Sequence, residues 1–599
     1  MPDVLPFESS RRLTGFNPYF SDVGAALETV GIGIDAQLIG AWRARVNRVR
    51  DELGWPPGQS VARVHARDAS LAITAPLDQL FTATEINEWA LLAACVPSSV
   101  PRGRPLVADG GQNMRLHAPG HPAAWDDDCA MHTLRAYSLS ERNAPLVALA
   151  EVARAHHLTV LIDEDTISAG VGDGARTWSL GDVPDPQQVD WSALHDAPIA
   201  LVTGSNGKTT TTRLLAAMTQ AHGWRTAYTC TDGVFVESTT LDAGDFSGPA
   251  GARIALRTPG VEMAVLETAR GGMLRRGIAV QHANVAIVTN VSDDHFGEYG
   301  VHDLGDLAAV KLAVARTLGA RDVLVLNADD ALLVRHAAPI AGQIHWFAFD
   351  ADAPLLVARR AESGTTCGVR DGHLHWQHAE VDHDLGAVTD MPLTFDGSAL
   401  YNIANIAAAA LAAMALGVDA STIARVLLRF GTSRDDNPGR LQHWSFGGLS
   451  VFVDYAHNPD GLRGLLGVAT KDSVGRLGLL LGQAGNREDA DIRELAAAAA
   501  RFRPDRVVLK DMGGMLRGRR EGEVPDLLQD ELARHGVVGA AVVQTLDELE
   551  AVRQLLGWAR AGDVVVLPIH GTSVKPAIGR LLDGMQQRGW MAGSPVPLE

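Results

Sequence analysis

The sequence is poor in cysteine and has no long apolar run. Its 599 residues include four cysteines without a C-x-x-C pair, so neither a disulfide framework nor a cysteine-rich zinc site is expected. No apolar stretch approaches the roughly 18 residues that would span a membrane. The longest candidate, residues 403–418, is rich in alanine and contains Asn405, which predicts a buried helix. The N-terminus has no basic segment followed by an apolar one, and we expect a cytoplasmic protein.

Basic residues are in the minority. The chain has 52 Lys and Arg against 71 Asp and Glu, a formal net charge of −19. A protein that coats nucleic acid needs a basic surface, so a nucleic-acid partner is not expected. The hydrophobic fraction of 46% and the charged fraction of 21% are typical of globular proteins and exclude wholesale disorder. At roughly 150 residues per domain, the length predicts about four domains or three larger ones.

The first 190 residues have mixed patterning. Apolar residues at helical spacing predict a helix that begins at Asp35, and a second such pattern starts near Thr84. Residues 158–162 have the composition of a buried strand, and the breaker-rich stretch 181–186 is the best candidate for a linker. We therefore predict an N-terminal α+β domain over residues 1–190.

Alternating strands and helices follow. Short apolar runs with helical patterns between several of them predict a mostly parallel sheet covered on both faces, in a central domain over residues 191–430. The predicted strands of this domain are residues 199–203, 263–266, 285–288 and 323–326.

A second junction at residues 433–440 precedes another alternating region. We predict a C-terminal Rossmann-like α/β domain over residues 431–599. Thr545 with Glu548 three residues later predicts a capping box at the start of one helix. The predicted strands are residues 450–454, 477–481, 507–509, 541–543 and 564–567.

A glycine-bounded loop lies between a predicted strand and a predicted helix. In residues 204–209, Gly-Ser-Asn-Gly-Lys-Thr, glycines let backbone N–H groups face a phosphate, and the helix N-terminus adds positive charge. Lys208 would reach the β- and γ-phosphates and Thr209 would bind Mg²⁺. Val202 stands where the standard motif has glycine, so this is a shortened variant. The alternative is a tight turn with a chance Lys-Thr pair.

Polar residues follow the next two predicted strands. Glu267 comes directly after one strand, and Asn290, Asp294 and His295 follow the other. Ligands of open α/β sheets bind at the carboxyl ends of strands. Each residue alone is equally consistent with a solvated loop or a cap, but together with the phosphate loop they predict a nucleotide and cation site.

These segments, with others later in the chain, resemble the Mur ligase superfamily over about residues 195–599. Such enzymes use ATP to join an amine to a carboxylate. The matching segments, in chain order, are Gly204–Thr209, Glu267, Asn290–His295, Lys311, Asn402–Asn405, Asn437–Arg440 and Asp454–Pro459.

Within that superfamily the chain is most similar to the Mur-ligase-like half of the cyanophycin synthetase family. Residues 9–17 are weakly similar to that family's N-terminal domain, but about 190 residues before the phosphate loop are too few for its ATP-grasp domain as well. The segments that carry this similarity are Tyr228–Gly233, Gly244–Pro249, Glu267–Gly272 and Lys510–Arg519.

The resemblance implies roles for individual residues. The residues implied to bind ATP are Gly204, Ser205, Asn206, Gly207, Lys208, Thr209, Thr210, Asn290, Asn402, Asn405, Arg440 and Asp454. Those implied in catalysis are Lys208, Glu267, His295 and Lys311, and the metal ligands are Thr209, Glu267 and His295. The residues assigned to substrates are Asp232, His457, Asn458, Arg517 and Arg519.

The resemblance also implies a mechanism. A carboxylate attacks the γ-phosphate of ATP to form an acyl phosphate, and an amine then displaces phosphate, with two Mg²⁺ ions at the site. His295 and Lys311 would serve the second ion, with Lys311 carbamylated, because an ammonium cannot ligate a cation. The expected partners are an amino acid and a carboxylate or peptide acceptor, and a homo-oligomer is left open. By analogy with the N-terminal domains of the superfamily, residues 1–190 are expected to bind the acceptor.

Several alternatives stay open. The cyanophycin-like segments favour an aspartate side chain as acceptor and arginine as amine, whereas a folylpolyglutamate-synthetase-like enzyme would add glutamate to a cofactor. A catalytically silent nucleotide-binding scaffold and an unrelated P-loop kinase are further readings. Arg517, Arg519 and Arg520 could bind an α-carboxylate or be a solvated loop, and the acidic runs 126–128 and 163–165 are more often solvated than ligating.

Overall fold

The computed structural model describes residues 5–65, 68–95, 127–293, 296–471, 473, 475–571 and 574–597. The predicted ligands Asp294 and His295, and Asp126 of the first acidic run, lie outside the described residues. In the described ranges, no helix combines the length and the apolar character needed to cross a membrane.

The chain begins with a four-stranded antiparallel sheet in the order β1-β2-β4-β3, packed against helices. The first helix starts as predicted, because the Asp35 side chain accepts a hydrogen bond from the Leu38 N–H, and it ends at Gly54 with φ +69°. The elements are β1 (Phe7–Leu13), β2 (Gly24–Thr29), α1 (Ala36–Leu53), β3 (Ser60–Val64), β4 (Ala69–Thr74), α2 (Leu80–Ala94) and α3 (Asp127–Glu141).

A second, smaller sheet completes the N-terminal region, with its own apolar core. The predicted linker 181–186 does not lead straight into the next domain. It continues into a segment that packs on this core through Val189, and Trp191 stacks on His156 at 5.2 Å between ring centroids. The elements are α4 (Ala144–Ala155), β5 (Val160–Ile162), β6 (Thr166–Ala169), β7 (Arg176–Ser179) and the 3-10 helices Gly172–Gly174, Pro186–Gln188 and Trp191–Ala193.

The central domain is built on a mostly parallel sheet, as predicted. The order of its described strands is β11-β10-β9-β12-β8-β13-β14-β15-β16-β17-β18, with parallel pairing from β9 to β16 and antiparallel hairpins at both edges. The strands are β8 (Ile199–Thr203), β9 (Thr226–Cys230), β10 (Gly233–Val236), β11 (Thr239–Ala243), β12 (Met263–Glu267), β13 (Val285–Val288), β14 (Val323–Asn327), β15 (Gln343–Asp350), β16 (Thr365–Arg370), β17 (His373–His378) and β18 (Val381–Ala387).

Helices cover both faces of this sheet, and each face has its own apolar core between the sheet and the helices. The Ala-rich stretch forms the buried helix that was predicted. The helices are α5 (Lys208–His222), α6 (Pro249–Arg257), α7 (Arg270–Arg275), α8 (Leu304–Lys311), α9 (Ala331–Ala337), α10 (Pro354–Ala361), α11 (Leu400–Ala415), α12 (Ala420–Leu427) and the 3-10 helices Leu312–Thr317, Val388–Asp390 and Pro392–Thr394.

Strand order decides what meets at the phosphate loop. β8, every residue of which is buried, lies between β12 and β13 with parallel pairing on both sides. Because parallel strands end at the same edge, the loop after β8 is flanked by Glu267 at the end of β12 and by Asn290 just after β13. The separate sequence motifs are thereby brought to one place.

The C-terminal domain has a second sheet in the order β19-β20-β24-β21-β22-β23, parallel except for β19. The predicted capping box at Thr545 is wrong, because α16 begins at Glu548 and the Asp547 side chain caps it by accepting from the Glu550 N–H. The elements are β19 (Gln442–Phe446), β20 (Leu449–Asp454), α13 (Pro459–Thr470), β21 (Leu477–Leu481), α14 (Asp489–Ala500), β22 (Arg506–Leu509), α15 (Glu523–Arg534), the 3-10 helix Gly539–Ala541, β23 (Val542–Gln544), α16 (Glu548–Trp558), β24 (Val564–Pro568) and α17 (Lys575–Gln587).

Candidate active site

A cavity of about 1030 Å³ lies between the central and C-terminal domains. The phosphate loop lies in its wall, and the carboxyl-end loops of both sheets contribute to it. Among the sequence-predicted residues, those in the wall are Gly204, Ser205, Asn206, Gly207, Lys208, Thr209, Thr210, Glu267, Asn290, Lys311, Asn402, Asn405, Arg440, Asp454, His457 and Arg517.

The two glycines of the phosphate loop are required by close contacts. Gly204 has φ +147° and Gly207 has φ +86°, a conformation that L side chains rarely adopt. A Cβ atom at Gly204 would lie 1.8 Å from Thr289 Oγ1, and one at Gly207 would lie 2.1 Å from Asn405 Oδ1. The backbone of the loop can therefore curl against its neighbours only with glycine at both positions.

Lys208 begins α5 and turns back over the loop. Its ammonium donates hydrogen bonds to the carbonyl oxygens of Gly204 at 3.1 Å and Ser205 at 3.0 Å. The charge is thus held at the helix N-terminus, where free N–H groups and the helix dipole also favour an anion.

Asn290 braces the loop from the neighbouring strand. Its side-chain oxygen accepts from the Asn206 N–H at 2.9 Å, and its amide donates to the Asn206 carbonyl at 3.1 Å. Thr289 Oγ1 donates to the same carbonyl at 2.6 Å. The contacts that the structure gives Asn290 hold the loop in shape, and a direct contact to nucleotide stays a prediction.

A hydroxyl and a carboxylate meet beside Lys208. Thr209 Oγ1 donates to Glu267 Oε2 at 2.8 Å and lies 2.8 Å from Thr231 Oγ1. Burial raises the pKa of Glu267, although Lys208, Thr209 and Arg440 oppose that shift. Oxygen donors of this kind suit Mg²⁺, which usually takes one or two carboxylates and completes its shell with phosphates and water. The pair therefore fits a Mg²⁺ ion at the phosphate loop.

Within the described ranges, no three or more His, Cys, Asp or Glu side chains lie close enough together to hold a metal ion. Lys311, the last residue of α8, is 1% exposed and borders the same cavity. A lysine so deeply buried beside a phosphate loop is unusual, because burial disfavours the ammonium.

Two asparagines on α11 close the other side of the loop. Asn402 donates to the Leu393 carbonyl at 2.9 Å, and Asn405 donates to Asn402 Oδ1 at 3.1 Å. Since Asn405 Oδ1 also packs against Gly207, α11 and the phosphate loop hold each other in register. Both amides border the cavity beside Tyr401, and their contact with adenine stays a prediction.

Arg440 reaches the loop from the C-terminal domain. Its Nη2 atom lies 3.4 Å from Thr209 Oγ1 and 3.3 Å from Thr231 Oγ1, and its guanidinium stacks 4.3 Å from the centroid of the Tyr455 ring. Asp454 fixes the segment that carries Arg440 by accepting from the Leu441 N–H at 2.5 Å. The second domain thereby brings a fixed cation to the hydroxyl–carboxylate pair.

Three further contacts join the two domains around the loop. Asn458 donates to Asn206 Oδ1 at 2.9 Å, and Asn437 donates to Thr210 Oγ1 at 3.1 Å. Lys575 donates to Asp232 Oδ1 at 3.0 Å. These contacts describe a closed arrangement of the central and C-terminal domains.

Lys575 was not predicted from the sequence, although a lysine shortly after the last strand of an α/β sheet is a usable signal. Burial would raise the pKa of Asp232, but Lys575, Arg440 and Arg213 lower it below its ordinary value. Lys575 also accounts for a glycine in the predicted junction, because a Cβ atom at Gly439 would lie 1.9 Å from Lys575 Cε. Asp232 thus holds the domains together, and neither it nor Asn458 belongs to the described wall of the cavity.

Glu298 is a second bridge that sequence reasoning missed. It accepts from Arg270 Nη2 at 2.8 Å within the central domain and from Asn486 Nδ2 at 3.0 Å in the C-terminal domain. The three residues border the cavity together with Arg275 and Arg487.

The predicted arginine cluster divides. Arg517 is exposed and borders the cavity, whereas Arg519 is absent from its described wall. Arg519 forms ion pairs with Asp489 at 2.7 Å and Glu523 at 2.9 Å and donates to two backbone carbonyls, so its guanidinium ties loops together.

Asp163 of the second acidic run likewise has a structural role, in an ion pair with Arg257 and as a cap for the turn before β6.

We expect Lys575→Met to loosen the closed arrangement. The ion pair is only partly buried, so its loss should cost about 1–2 kcal/mol, between exposed and buried pairs. Small-angle scattering should show a larger radius of gyration, and kcat/KM for ATP should fall about tenfold. Arg580→Met, an exposed change on the same helix, is the matched control. If the two variants had the same radius of gyration and the same kcat/KM, the role of the Lys575–Asp232 pair in holding the domains together would be contradicted.

Comparison with known proteins gives a consistent family. The model of the Mur ligase middle domain matches residues 202–413, and that of the Mur ligase glutamate ligase domain matches residues 439–568. A cyanophycin synthetase from Synechocystis sp. is 36% identical over 372 residues, which are 62% of this chain and 42% of that protein. The chain thus spans about two-fifths of the length of that relative.

Two diaminopimelate ligases also match. A UDP-N-acetylmuramoyl-L-alanyl-D-glutamate–2,6-diaminopimelate ligase from Gloeobacter violaceus is 30% identical over 393 residues, covering 63% of this chain and 74% of that protein. The ligase of the same name from Corynebacterium efficiens is 27% identical over 495 residues, covering 77% of this chain and 88% of that protein. The chain belongs to the Mur ligase family.

Proposed function

We propose that the protein is an ATP-dependent ligase that joins an amine to a carboxylate and releases ADP and phosphate. The observation that carries the proposal is the contact of Thr209 Oγ1 with Glu267 Oε2, beside Lys208 and under Arg440, at a phosphate loop in a chain of the Mur ligase family. We divide the chain into three domains. Residues 1–190 form the N-terminal domain, residues 191–430 the ATP-binding domain, and residues 431–599 the domain that closes over the phosphate loop, here called the closing domain.

The side chains at the loop have distinct tasks in this proposal. Lys208 and the N–H groups at the start of α5 bind and neutralise the terminal phosphates. Thr209 and Glu267 would hold one Mg²⁺ ion, and His295 and Lys311 would serve a second. Bound Mg²⁺ supplies charge neutralisation on the transferring phosphoryl group. Arg440 brings a cation from the closing domain, so the site is complete only when the domains meet.

In the proposed reaction an acceptor carboxylate oxygen attacks the γ-phosphorus and ADP leaves. The resulting acyl phosphate is then attacked by the amine, and the C–O bond to phosphate breaks as the amide forms. The phosphate keeps the oxygen that the acceptor supplied. The closed arrangement around Asp232 and Asn458 would exclude water from this intermediate.

The remaining wall of the cavity favours substrates that carry carboxylates. Arg275, Arg487 and Arg517 border it beside Arg270, which is paired with Glu298, and guanidinium groups bind carboxylates in a fork. We therefore propose an acidic acceptor and an amino acid, with His457 on the substrate side and Asn458 as the bridge to the phosphate loop. The resemblance of the segments to cyanophycin synthetase favours an aspartate-type acceptor with arginine, and the names of the two diaminopimelate ligases suggest a diaminopimelate-type amine.

The N-terminal region contacts the helix that carries two of the arginines in the cavity wall. Arg11 Nε donates to the Leu274 carbonyl at 2.7 Å, and the Thr14 N–H donates to the Arg276 carbonyl at 2.7 Å. Both contacts fix α7, which carries Arg270 and Arg275. We propose that residues 1–190 position these arginines for the acceptor.

The test is phosphate release by the purified protein with Mg·ATP over a matrix of amines and acceptors, with mass spectrometry of the products. Aspartate peptides with arginine and folate-like acceptors with glutamate belong in the first set. Turnover that needs both partners, with a product mass equal to their sum minus water, supports the ligase. ATP hydrolysis indifferent to both partners, or no binding of ATP, contradicts it.

Lys311 gives a separate prediction. If the buried lysine is carbamylated, protein incubated with ¹³C-bicarbonate should give a carbamate carbon signal, and depletion of bicarbonate should lower turnover. Lys311→Arg should lose the signal, because arginine does not form the carbamate, and Lys471→Arg should keep it. A protein that is active without bicarbonate and lacks the signal would contradict carbamylation.

A further inference from the structure

A buried polar cluster lies under the loop that follows β20, away from the cavity wall. Lys510 follows β22, Glu548 opens α16 and His570 follows β24. Their exposed fractions are 0%, 7% and 2%. Burying three charged or titratable side chains is costly, because each must be desolvated, so the contacts they make are the place to look for a role.

The contacts of the cluster form one chain. Lys510 makes an ion pair with Glu548 Oε1 and lies 3.1 Å from His570 Nδ1. Glu548 accepts from the backbone N–H of His570 at 3.0 Å and of Gly571 at 2.9 Å. On the far side of the imidazole ring, His570 Nε2 lies 3.1 Å from the carbonyl oxygen of Ala456.

This chain fixes the tautomer of His570. The Ala456 carbonyl can only accept, so Nε2 must carry the proton, and Nδ1 of the neutral ring then accepts from Lys510. Burial lowers the pKa of Lys510, but the ion pair with Glu548 opposes that shift and favours the ammonium. Burial lowers the pKa of His570 well below its ordinary value, and the Lys510 charge adds to this, which keeps the imidazole neutral. Hydrogen bonding and charge therefore agree on a neutral ring with its proton on Nε2.

Ala456 is the midpoint of a segment that builds the site. On one side, the Tyr455 ring supports the Arg440 guanidinium, and on the other, Asn458 donates to Asn206 of the phosphate loop. The His570 ring also meets the Tyr455 ring edge-on at 5.3 Å between centroids. A hydrogen bond to the Ala456 carbonyl therefore fixes the position of the segment that supports Arg440 and that carries Asn458, the bridge to the phosphate loop.

We propose that Glu548, Lys510 and His570 position the segment 454–458 for the reaction, with His570 as a positioning residue that acts through the Ala456 carbonyl. Lys510 donates to His570 Nδ1, and Glu548 neutralises the charge of Lys510. His570 then donates its Nε2–H to the Ala456 carbonyl. The inference rests on the proposed ATP-dependent function of the cavity.

Two substitutions at one position separate positioning from packing. His570→Gln places an amide N–H near Nε2, whereas His570→Leu has comparable bulk and no donor. We expect His570→Leu to raise KM for ATP and to lower kcat/KM at least tenfold, and His570→Gln to stay within about threefold of wild type. His535→Leu, an exposed change in the same domain, is the control. Equal loss in both variants, or no loss in either, would overturn the proposal.

A second measurement needs no variant. Neutron diffraction from deuterium-exchanged crystals of the wild-type protein should place a deuteron on His570 Nε2 and none on Nδ1, and the opposite pattern would overturn the proposal even if His570→Leu fails to fold. Different outcomes refute the ligase activity and the role of His570. A wild-type protein with no ATP turnover refutes the proposed function, whereas an active wild type with equal Gln and Leu variants refutes only the positioning role.

Discussion

Lys208→Ala should abolish turnover and leave the fold intact. The Lys208 ammonium is the loop's own cation at the start of α5, held by the Gly204 and Ser205 carbonyls. Removing one preorganised charge that faces a transferring group typically lowers rates by roughly 10²–10³. Phosphate release in the presence of both substrates should fall by at least that factor, with unchanged circular dichroism and melting temperature.

The matched control is Lys471→Ala, which removes an exposed lysine at the end of α13. It should behave as wild type in both assays. A folded Lys208→Ala protein with more than a tenth of wild-type activity would refute the assignment of residues 204–209 as the phosphate site. Loss of activity together with loss of fold would instead be resolved by Lys208→Arg, which keeps the charge and should retain ATP binding.

Glu267→Gln should separate activity from stability. The amide keeps an oxygen that can accept from Thr209 Oγ1, but it no longer offers a carboxylate to Mg²⁺. Loss of several kcal/mol of charge stabilisation corresponds to roughly 10²-fold or more in turnover. We expect that loss to be reduced by raising Mg²⁺, because the remaining oxygen ligands still bind weakly.

In contrast to its turnover, the stability of Glu267→Gln should not fall below that of wild type. Burial raises the pKa of Glu267, so folding disfavours its anion. The destabilisation sets in as the pH rises from the unfolded pKa through the folded pKa, and it is present above both. The melting temperature of Glu267→Gln at alkaline pH should therefore equal or exceed that of wild type. Glu262→Gln, an exposed change next to β12, should alter neither property, and a lowered melting temperature for Glu267→Gln alone would contradict the account.

Motifs that sit at strand ends could be predicted from the sequence alone. The run Ile199–Thr203 is fully apolar up to Thr203, the loop after it is glycine-bounded, and Glu267 ends a similar run. Local patterns of this kind identify strands, and the rule that ligands bind at carboxyl ends then assembles the site. The adjacency of β12, β8 and β13 is what makes that rule hold here.

Contacts between domains could not be predicted in the same way. Lys575 pairs with Asp232 across 343 positions, and Asn486 pairs with Glu298 across 188. Nothing in the local sequence of either partner indicates the other. Arg519 illustrates the same limit, because the basic residues near it in sequence suggest a substrate site, whereas its guanidinium pairs with Asp489, thirty positions away.

Helix ends were predicted unevenly for a physical reason. Asp35 has one good set of N–H partners and caps α1 as expected, whereas Thr545 and Asp547 lie close together and compete for the start of α16. Aspartate is the stronger cap, and the helix begins after it. A pattern with two adjacent cap residues therefore locates a helix start only to within a few positions.

The most direct test of the account is the fate of one oxygen. The acceptor identified by the substrate matrix would be labelled with ¹⁸O in both oxygens of its reacting carboxylate and turned over with unlabelled Mg·ATP and the amine. An acyl-phosphate ligase at this site predicts that each released phosphate carries one ¹⁸O from the acceptor, with ADP as the other product. Unlabelled phosphate alongside the amide, or AMP in place of ADP, would contradict the central claim.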